Sequence, residues 1–228
     1  MSSSINILHI YKTSMPASYG GVESFIDTLC KAGTELCVKN TVLTLHPKPQ
    51  KKPIEMDGYT VHQTKQNLFL ASTGFSVSAF SKFKRLSNDA DIIHYHFPNP
   101  FADMLHLAYQ PKKPSLVTYH SDVIKQKHLI HIYKPLRRRF FNSVDQIVAT
   151  SPNYFVSSNV LQQLSDKVSV IPIGIDPKAY GTVDSERLDF WRSRLSKPFF
   201  LFIGAMRYYK GLHVALKAIA GTEIQIVI

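Results

Sequence analysis

The chain of 228 residues is short of several things, and each shortage narrows what it can be. Cysteine occurs only as Cys30 and Cys37, close together on one predicted helix. Two such residues form neither a disulfide framework nor a zinc pattern, so buried thiols in a reducing cytoplasm are expected. No run of about 18 apolar residues occurs, so no membrane-spanning helix is expected. The amino terminus, MSSSINILHI, has no basic n-region, and its apolar run is too short for a secretory signal. There is no G-x-G-x-x-G fingerprint, Walker A loop or G-x-S-x-G elbow. No spacing supports three or four convergent metal ligands. Acid is scarce beside base, with 16 Asp and Glu against 27 Lys and Arg, a net charge of +11. That balance suits a polyanionic partner: nucleic acid, anionic lipid or phosphorylated small molecules. Nucleic acid is disfavoured, because RRM, helix-turn-helix and zinc-finger signatures are all missing.

What the chain does have is apolar content, 44% hydrophobic, ample for a core. Short β-rich runs alternate with amphipathic stretches. Strands are predicted at Ile5–Tyr11, Thr41–His46, Tyr59–Gln63, Asp91–Tyr95, Ser115–Tyr119, Gln146–Thr150 and Val168–Pro172. Helices are predicted between them. The first carries Val22, Phe25, Ile26, Leu29, Gly33 and Leu36 on one stripe. Another spans Leu129–Phe141, with Pro135 marking a kink or a late start. This βαβ order predicts a parallel sheet covered by helices on both faces. After Pro172 comes a long, partly helical connector. Then Phe199–Ile203, Gly211–Ala220 and Glu223–Ile228 read as the opening βαβ of a second doubly wound domain. The domains are therefore drawn at 1–180, with a connector at 181–197 and an incomplete second domain at 198–228.

Four segments carry candidate chemistry. Gly20-Gly21 follows the first strand and opens a helix, where free N–H groups and a close backbone approach suit a diphosphate. A tight turn with close helix–sheet packing explains the glycines equally well. DIIHYHFPNP and VTYHSDVIKQK place His96 and His120 at the carboxyl ends of strands, where α/β sheets bind ligands. His94 reads as a satisfied core residue, and His120 could be a structural loop histidine. Lys125, Lys127, Lys134, Arg137, Arg138 and Arg139 occur with no acid between Val123 and Val144. Lys127, His131, Lys134 and Arg138 share one helical face, opposite Leu129, Ile132, Tyr133, Leu136 and Phe140. That basic face is either simply solvated or turned to an anionic membrane. Finally, a strand ends at Gly204, Arg207 and Lys210 follow, and Gly211 opens a helix, which makes a diphosphate clamp.

In order along the chain, Gly20-Gly21-Val22-Glu23, His94 to Pro100, Val117 to Asp122, Thr150 to Tyr154, Pro172 to Asp176 and Gly204 to Gly211 resemble glycosyltransferase family 4. Each motif is modest, and their colinearity carries the resemblance. It implies a GT-B fold, α/β in class, with one complete Rossmann-like domain and the start of a second. It further implies transfer of a hexosyl group, mannosyl among the candidates, with retention of configuration. The donor would be a GDP- or UDP-sugar and the acceptor a glycan or lipid-linked molecule. By resemblance, Gly20 and Gly21 lie near the donor phosphates, and Arg207 and Lys210 pair with the diphosphate. His120 faces the donor sugar at the reacting centre, with His96 and Asp122 as acceptor-side or sugar-side candidates. Lys127, Lys134 and Arg138 are the membrane-facing candidates. No metal and no cofactor beyond the donor is expected, because Arg and Lys take the metal's place. The expected location is the cytoplasm, peripheral on the inner face of the membrane. The family's later Glu-x7-Glu segment would fall beyond Ile228. The 228-residue chain alone is therefore expected to be inactive. The alternative is a truncated module that binds acceptor or membrane without transferring anything.

Overall fold

The computed structural model describes residues 4–123, 127–175, 181–195, 197–204, 206 and 208–228, without the side chains of residues 127–130, 132 and 209. The chain divides into two compact units, Met1–Ile175 and Asp176–Ile228.

The first unit is built on an eight-stranded sheet. Its strands are β1 (Ile5–Ile10), β2 (Val38–His46), β3 (Ile54–Met56), β4 (Tyr59–Lys65), β7 (Ile92–Phe97), β8 (Ser115–Tyr119), β9 (Gln146–Ala149) and β10 (Val168–Val170). The order is β10-β9-β8-β7-β1-β2-β4-β3, parallel throughout except for β3, which pairs antiparallel with β4 at the edge. A small hairpin, β5 (Leu68–Leu70) and β6 (Thr73–Phe75), stands apart. The helices are α1 (Gly21–Glu35), α2 (Ser78–Asp89), α3 (Pro100–Tyr109), α4 (Lys127–Ser143), α5 (Pro152–Ser157) and α6 (Asn159–Gln162). From β1 the chain winds one way to β2, and from β7 it winds the other way through β8, β9 and β10. The switch point therefore lies between β1 and β7, and in open α/β sheets ligands bind at such a point beyond the carboxyl ends of the strands.

Strand alternation gives the two faces of this sheet different chemistry. One face presents Leu8, Ile10, Leu43, Ile93, Tyr95, Phe97, Val117 and Tyr119 to a large core that also holds Phe83, Leu105, Phe140 and Phe141. The other face presents His9, Tyr11, Asn40 and Val42 toward α1, where Ile26 and Cys30 are buried. The predicted stripe on α1 is corrected in part. Leu29 and Leu36 are exposed, while Asp27 is buried and accepts a 2.8 Å hydrogen bond from the Tyr59 hydroxyl. The helix ends at Glu35, so Leu36 lies past it. Cys37 follows at φ 59° and is exposed, contrary to the expectation that both thiols are buried. The helix over residues 127–143 runs through Pro135.

Helix starts follow local chemistry. Pro152 occupies the first turn of α5, and the Ser151 hydroxyl accepts from Tyr154 N at 3.1 Å. Pro100 likewise occupies the first turn of α3, there without a side-chain cap.

The second unit holds β11 (Phe199–Leu201) and β12 (Gln225–Val227), paired in parallel with α8 (Leu212–Ile219) between them, preceded by α7 (Ser185–Arg194). Asp184 caps α7, accepting from Glu186 N at 3.0 Å.

Asp103 on α3 is 2% exposed and accepts a hydrogen bond from the Tyr133 hydroxyl of α4. Burial pushes its carboxyl up to about 8. A raised folded-state value means that the native state keeps a proton the unfolded chain gives up. Stability is therefore full below the unfolded value and lost as pH rises through the folded one. Relative to Asp103→Asn, the wild type should lose roughly 1 kcal/mol per pH unit between about pH 5 and pH 7, measured by urea unfolding. Parallel profiles for the two proteins would show that the carboxyl is ionised in the fold.

Candidate active site

At the carboxyl ends of β1, β7 and β8, the sheet face under α1 carries an array of imidazoles. His9 pairs in register with His94 across β1 and β7, and His96 lies two residues on, beside Thr118 of β8. His120 follows the end of β8, with its backbone N–H donating to the Phe97 carbonyl at 3.0 Å. Two-residue steps along neighbouring parallel strands put these side chains on one face.

The rings are joined by hydrogen bonds. His9 Nε2 lies 3.0 Å from Asn40 Oδ1, and His9 Nδ1 lies 3.2 Å from His96 Nε2. His96 Nδ1 lies 3.2 Å from His120 Nε2. His94 Nε2 bonds the Thr118 hydroxyl at 2.7 Å. Stacking reinforces the array, with centroids 4.3 Å apart for His94 and His96 and 5.4 Å apart for His96 and His120. Burial holds His9 and His120 down to about 4, and His94 and His96 well below the ordinary histidine value. All four rings are therefore neutral at pH 7. His9, His94 and His96 are close enough to suggest a metal triad, with ligand atoms within 4.8 Å of one another. The ring nitrogens of His9 and His96 are, however, committed to neighbours on both sides. A cation would have to break that chain.

His120 is the member at the edge. The Phe25 ring of α1 meets it edge-on, with centroids 5.1 Å apart. The second turn of α1 and the end of β8, nearly a hundred residues apart in sequence, are thereby brought together. Gly20 is the extended residue before α1, at φ −153°, and its carbonyl accepts from Ser24 N. Glu23 is held by two hydroxyls, Thr13 at 2.6 Å and Ser18 at 3.1 Å, and it pulls the His120 value slightly upward. Ser14 Oγ, buried in the same loop, has no hydrogen-bond partner among the described residues.

His96 is 1% exposed and sits behind His120. β7 continues to Phe97, so His96 lies within the strand and not past its end. Asp122 is a clamp: Oδ1 accepts from Tyr119 at 2.7 Å and Ser158 at 3.2 Å, and Oδ2 from Tyr154 at 3.1 Å. It ties the β8 loop to α5 and α6. Lys134 and Arg138 are exposed on α4. The Lys127 and Lys125 side chains and Arg207 lie outside the described residues. Lys210 ends a short 3-10 turn before Gly211, which precedes α8 at φ 72°. Sequence reasoning missed His9, Asn40 and Thr118. The available signal was a polar residue in each of several adjacent buried strands.

The model of Glycosyltransferase Family 4 matches residues 19–179. The chain belongs to glycosyltransferase family 4. Among curated proteins it is similar to the D-rhamnosyltransferase WbpZ of Pseudomonas aeruginosa, 46% identical over 98% of this chain and 59% of that protein. It is also similar to the O-antigen chain mannosyltransferase C of Escherichia coli, 44% identical over 98% of this chain and 60% of that one. The chain thus spans about 60% of the length of these family 4 relatives. Among solved structures, the sucrose-phosphate synthase of Thermosynechococcus elongatus matches with a TM-score of 0.71 at 17% identity, over 97% of this chain and 61% of that one. The Anabaena protein HepE, solved with UDP and glucose, matches with a TM-score of 0.69 at 16% identity, over 98% of this chain and 59% of that one. These likenesses are of fold, and the fold is GT-B.

The two glycines differ in what surrounds them. A Cβ on Gly20 would come within 2.5 Å of Glu23 Oε2, whereas one on Gly21 would meet nothing within 4 Å. Gly20→Ala should therefore cost roughly 1 kcal/mol by displacing the hydrogen-bonded Glu23. Gly21→Ala should leave the urea midpoint unchanged. Equal midpoints for both variants would contradict this geometry.

Proposed function

We propose that the protein transfers a hexosyl group from a nucleotide-diphosphate sugar to a glycan or lipid-linked acceptor, with retention of configuration. The observation that carries this reading is the meeting of the α1 amino terminus with His120 at the switch point of the sheet, in a family 4 chain. Residues 1–180 serve as the acceptor-side domain, 181–197 as the connector and 198–228 as the opening of the donor-binding domain. Gly20 and Gly21 leave the α1 N–H groups open to phosphate oxygens, and the space beside Gly21 suits a close backbone approach. Arg207 and Lys210 offset the charge that grows on the departing nucleoside diphosphate, so no metal is needed for that task. His120, neutral and at the edge of the buried array, orients the donor sugar by hydrogen bonding.

The named sugars of the two relatives narrow the donor. D-rhamnose and mannose share the manno configuration and differ at C6, so a manno-configured donor is the sugar we propose. A GDP- or UDP-sugar fits the site as read. The acceptor belongs to O-antigen-type polysaccharide synthesis. Lys134, Arg138 and Arg139 on the exposed side of α4 suit an anionic cytoplasmic membrane face where such acceptors lie. Among the described residues, no helix is long and apolar enough to cross a membrane.

The test is a transfer assay on the protein expressed from its complete reading frame, with GDP-mannose and UDP-glucose offered in parallel. Turnover should appear with the manno-configured donor, and His120→Ala should lower kcat by roughly 100-fold. Gly21→Ala should raise the KM for the donor while stability stays unchanged. Absence of transfer from every nucleotide sugar would overturn the reading, as would full activity in His120→Ala.

A further inference from the structure

The hydrogen-bond chain behind His120 has a direction, and Asn40 is where it begins. Asn40 Nδ2 donates to the Cys30 carbonyl at 3.0 Å, and Oδ1 lies 3.0 Å from His9 Nε2. A backbone carbonyl only accepts, so the amide cannot be turned round without setting two oxygens against each other. Room for this arrangement comes from Gly33 of α1, where a Cβ would lie 2.9 Å from Asn40 Nδ2. The amide oxygen also only accepts, so His9 Nε2 must carry the hydrogen. A neutral imidazole has one N–H, and His9 Nδ1 is therefore a lone pair. His96 Nε2, 3.2 Å away, must donate to it, which leaves His96 Nδ1 as an acceptor. His120 Nε2 donates to that acceptor at 3.2 Å. What remains is His120 Nδ1, a lone pair without a hydrogen-bond partner among the described residues.

We propose that Asn40, acting through His9 and His96, fixes His120 in the Nε2–H tautomer, so that His120 meets its ligand as a hydrogen-bond acceptor at Nδ1. The fitting ligand group is a hydroxyl, which can donate. A carbonyl or phosphate oxygen, which cannot, is repelled. His120 thus reads a sugar hydroxyl and leaves the diphosphate to the helix amino terminus. Asn40, His9 and His96 are positioning residues and touch no substrate. The choice of a sugar hydroxyl rests on the transferase reading above, but the tautomer does not.

The experiment is a long-range proton–nitrogen correlation spectrum of the 15N-labelled chain without ligand, which tells protonated from unprotonated ring nitrogens. His9, His96 and His120 should all show Nε2–H and a bare Nδ1. Asn40→Leu removes the amide oxygen that holds the chain in one direction. Nothing then compensates the buried His9 Nε2–H, and the chain should reverse so that His120 shows Nδ1–H. A merely structural asparagine would not move that signal. The proposal is overturned if wild-type His120 carries Nδ1–H, or if Asn40→Leu keeps the native backbone spectrum with His120 unchanged. Should that variant not fold, nitrogen–nitrogen couplings across the hydrogen bonds of the wild type decide the matter. His96 must be the donor to His9, and His120 the donor to His96, and the opposite assignment at either bond overturns the proposal. Because no ligand is present, failure here is separate from failure of the transfer assay.

Discussion

An imidazole sealed from water at a sheet–helix interface is tolerable only while it is neutral and its nitrogens have partners. Here that condition applies to several rings at once, and it governs the middle of the fold. His9 and His94 come from paired positions on β1 and β7, His96 from the next outward position, and His120 from the end of β8. None can charge without leaving its neighbours facing an uncompensated buried cation. The sheet register, the fit of α1 through Gly33, and the Asn40 amide are all parts of one hydrogen-bonded unit. The opposite face of the same strands is filled mainly with aromatic and aliphatic side chains, with one buried imidazole, His106, bonded to the Tyr95 hydroxyl at 2.8 Å.

This division of labour gives the sheet its character. Stiffness comes from the apolar face, where Phe83, Tyr95, Phe140 and their neighbours are excluded from water. Chemistry comes from the polar face, whose hydrogen bonds lead outward to a single edge residue. Phe25 joins His120 to α1, and Asp122 stitches the β8 loop to α5 and α6 through three hydroxyls. In the proposed site, polarity is set by orientation, by helix N–H groups on one flank and a ring lone pair on the other.

Much of this was legible in the residues. Alternating β-rich and amphipathic segments marked the parallel strands β1, β2, β4, β7, β8, β9 and β10 to within a few residues, because buried parallel strands leave continuous apolar runs. The colinear motifs pointed to the family that the 19–179 match establishes. The edge strand β3 and the hairpin of β5 and β6 escaped, being three residues each and lacking any period to detect. His120 was legible as a strand-end histidine. The role of His96 was not, because one further strand residue decides whether a side chain faces water or the core. Asn40 was invisible for a deeper reason. Its importance lies in contacts to Cys30 and to His9, 10 and 31 residues away, which no local pattern encodes.

The central claim, a neutral hydrogen-bonded histidine array supporting an edge residue, is tested most directly by following each histidine ring resonance from pH 8 to pH 4. The account predicts that His9, His94, His96 and His120 stay unprotonated through the range near 6.5 where exposed histidines titrate, with His9 and His120 changing only at about 4. Ordinary titration of His96 or His9 near 6.5 in the folded protein would contradict it, because a charged ring there is incompatible with the chain that orients His120.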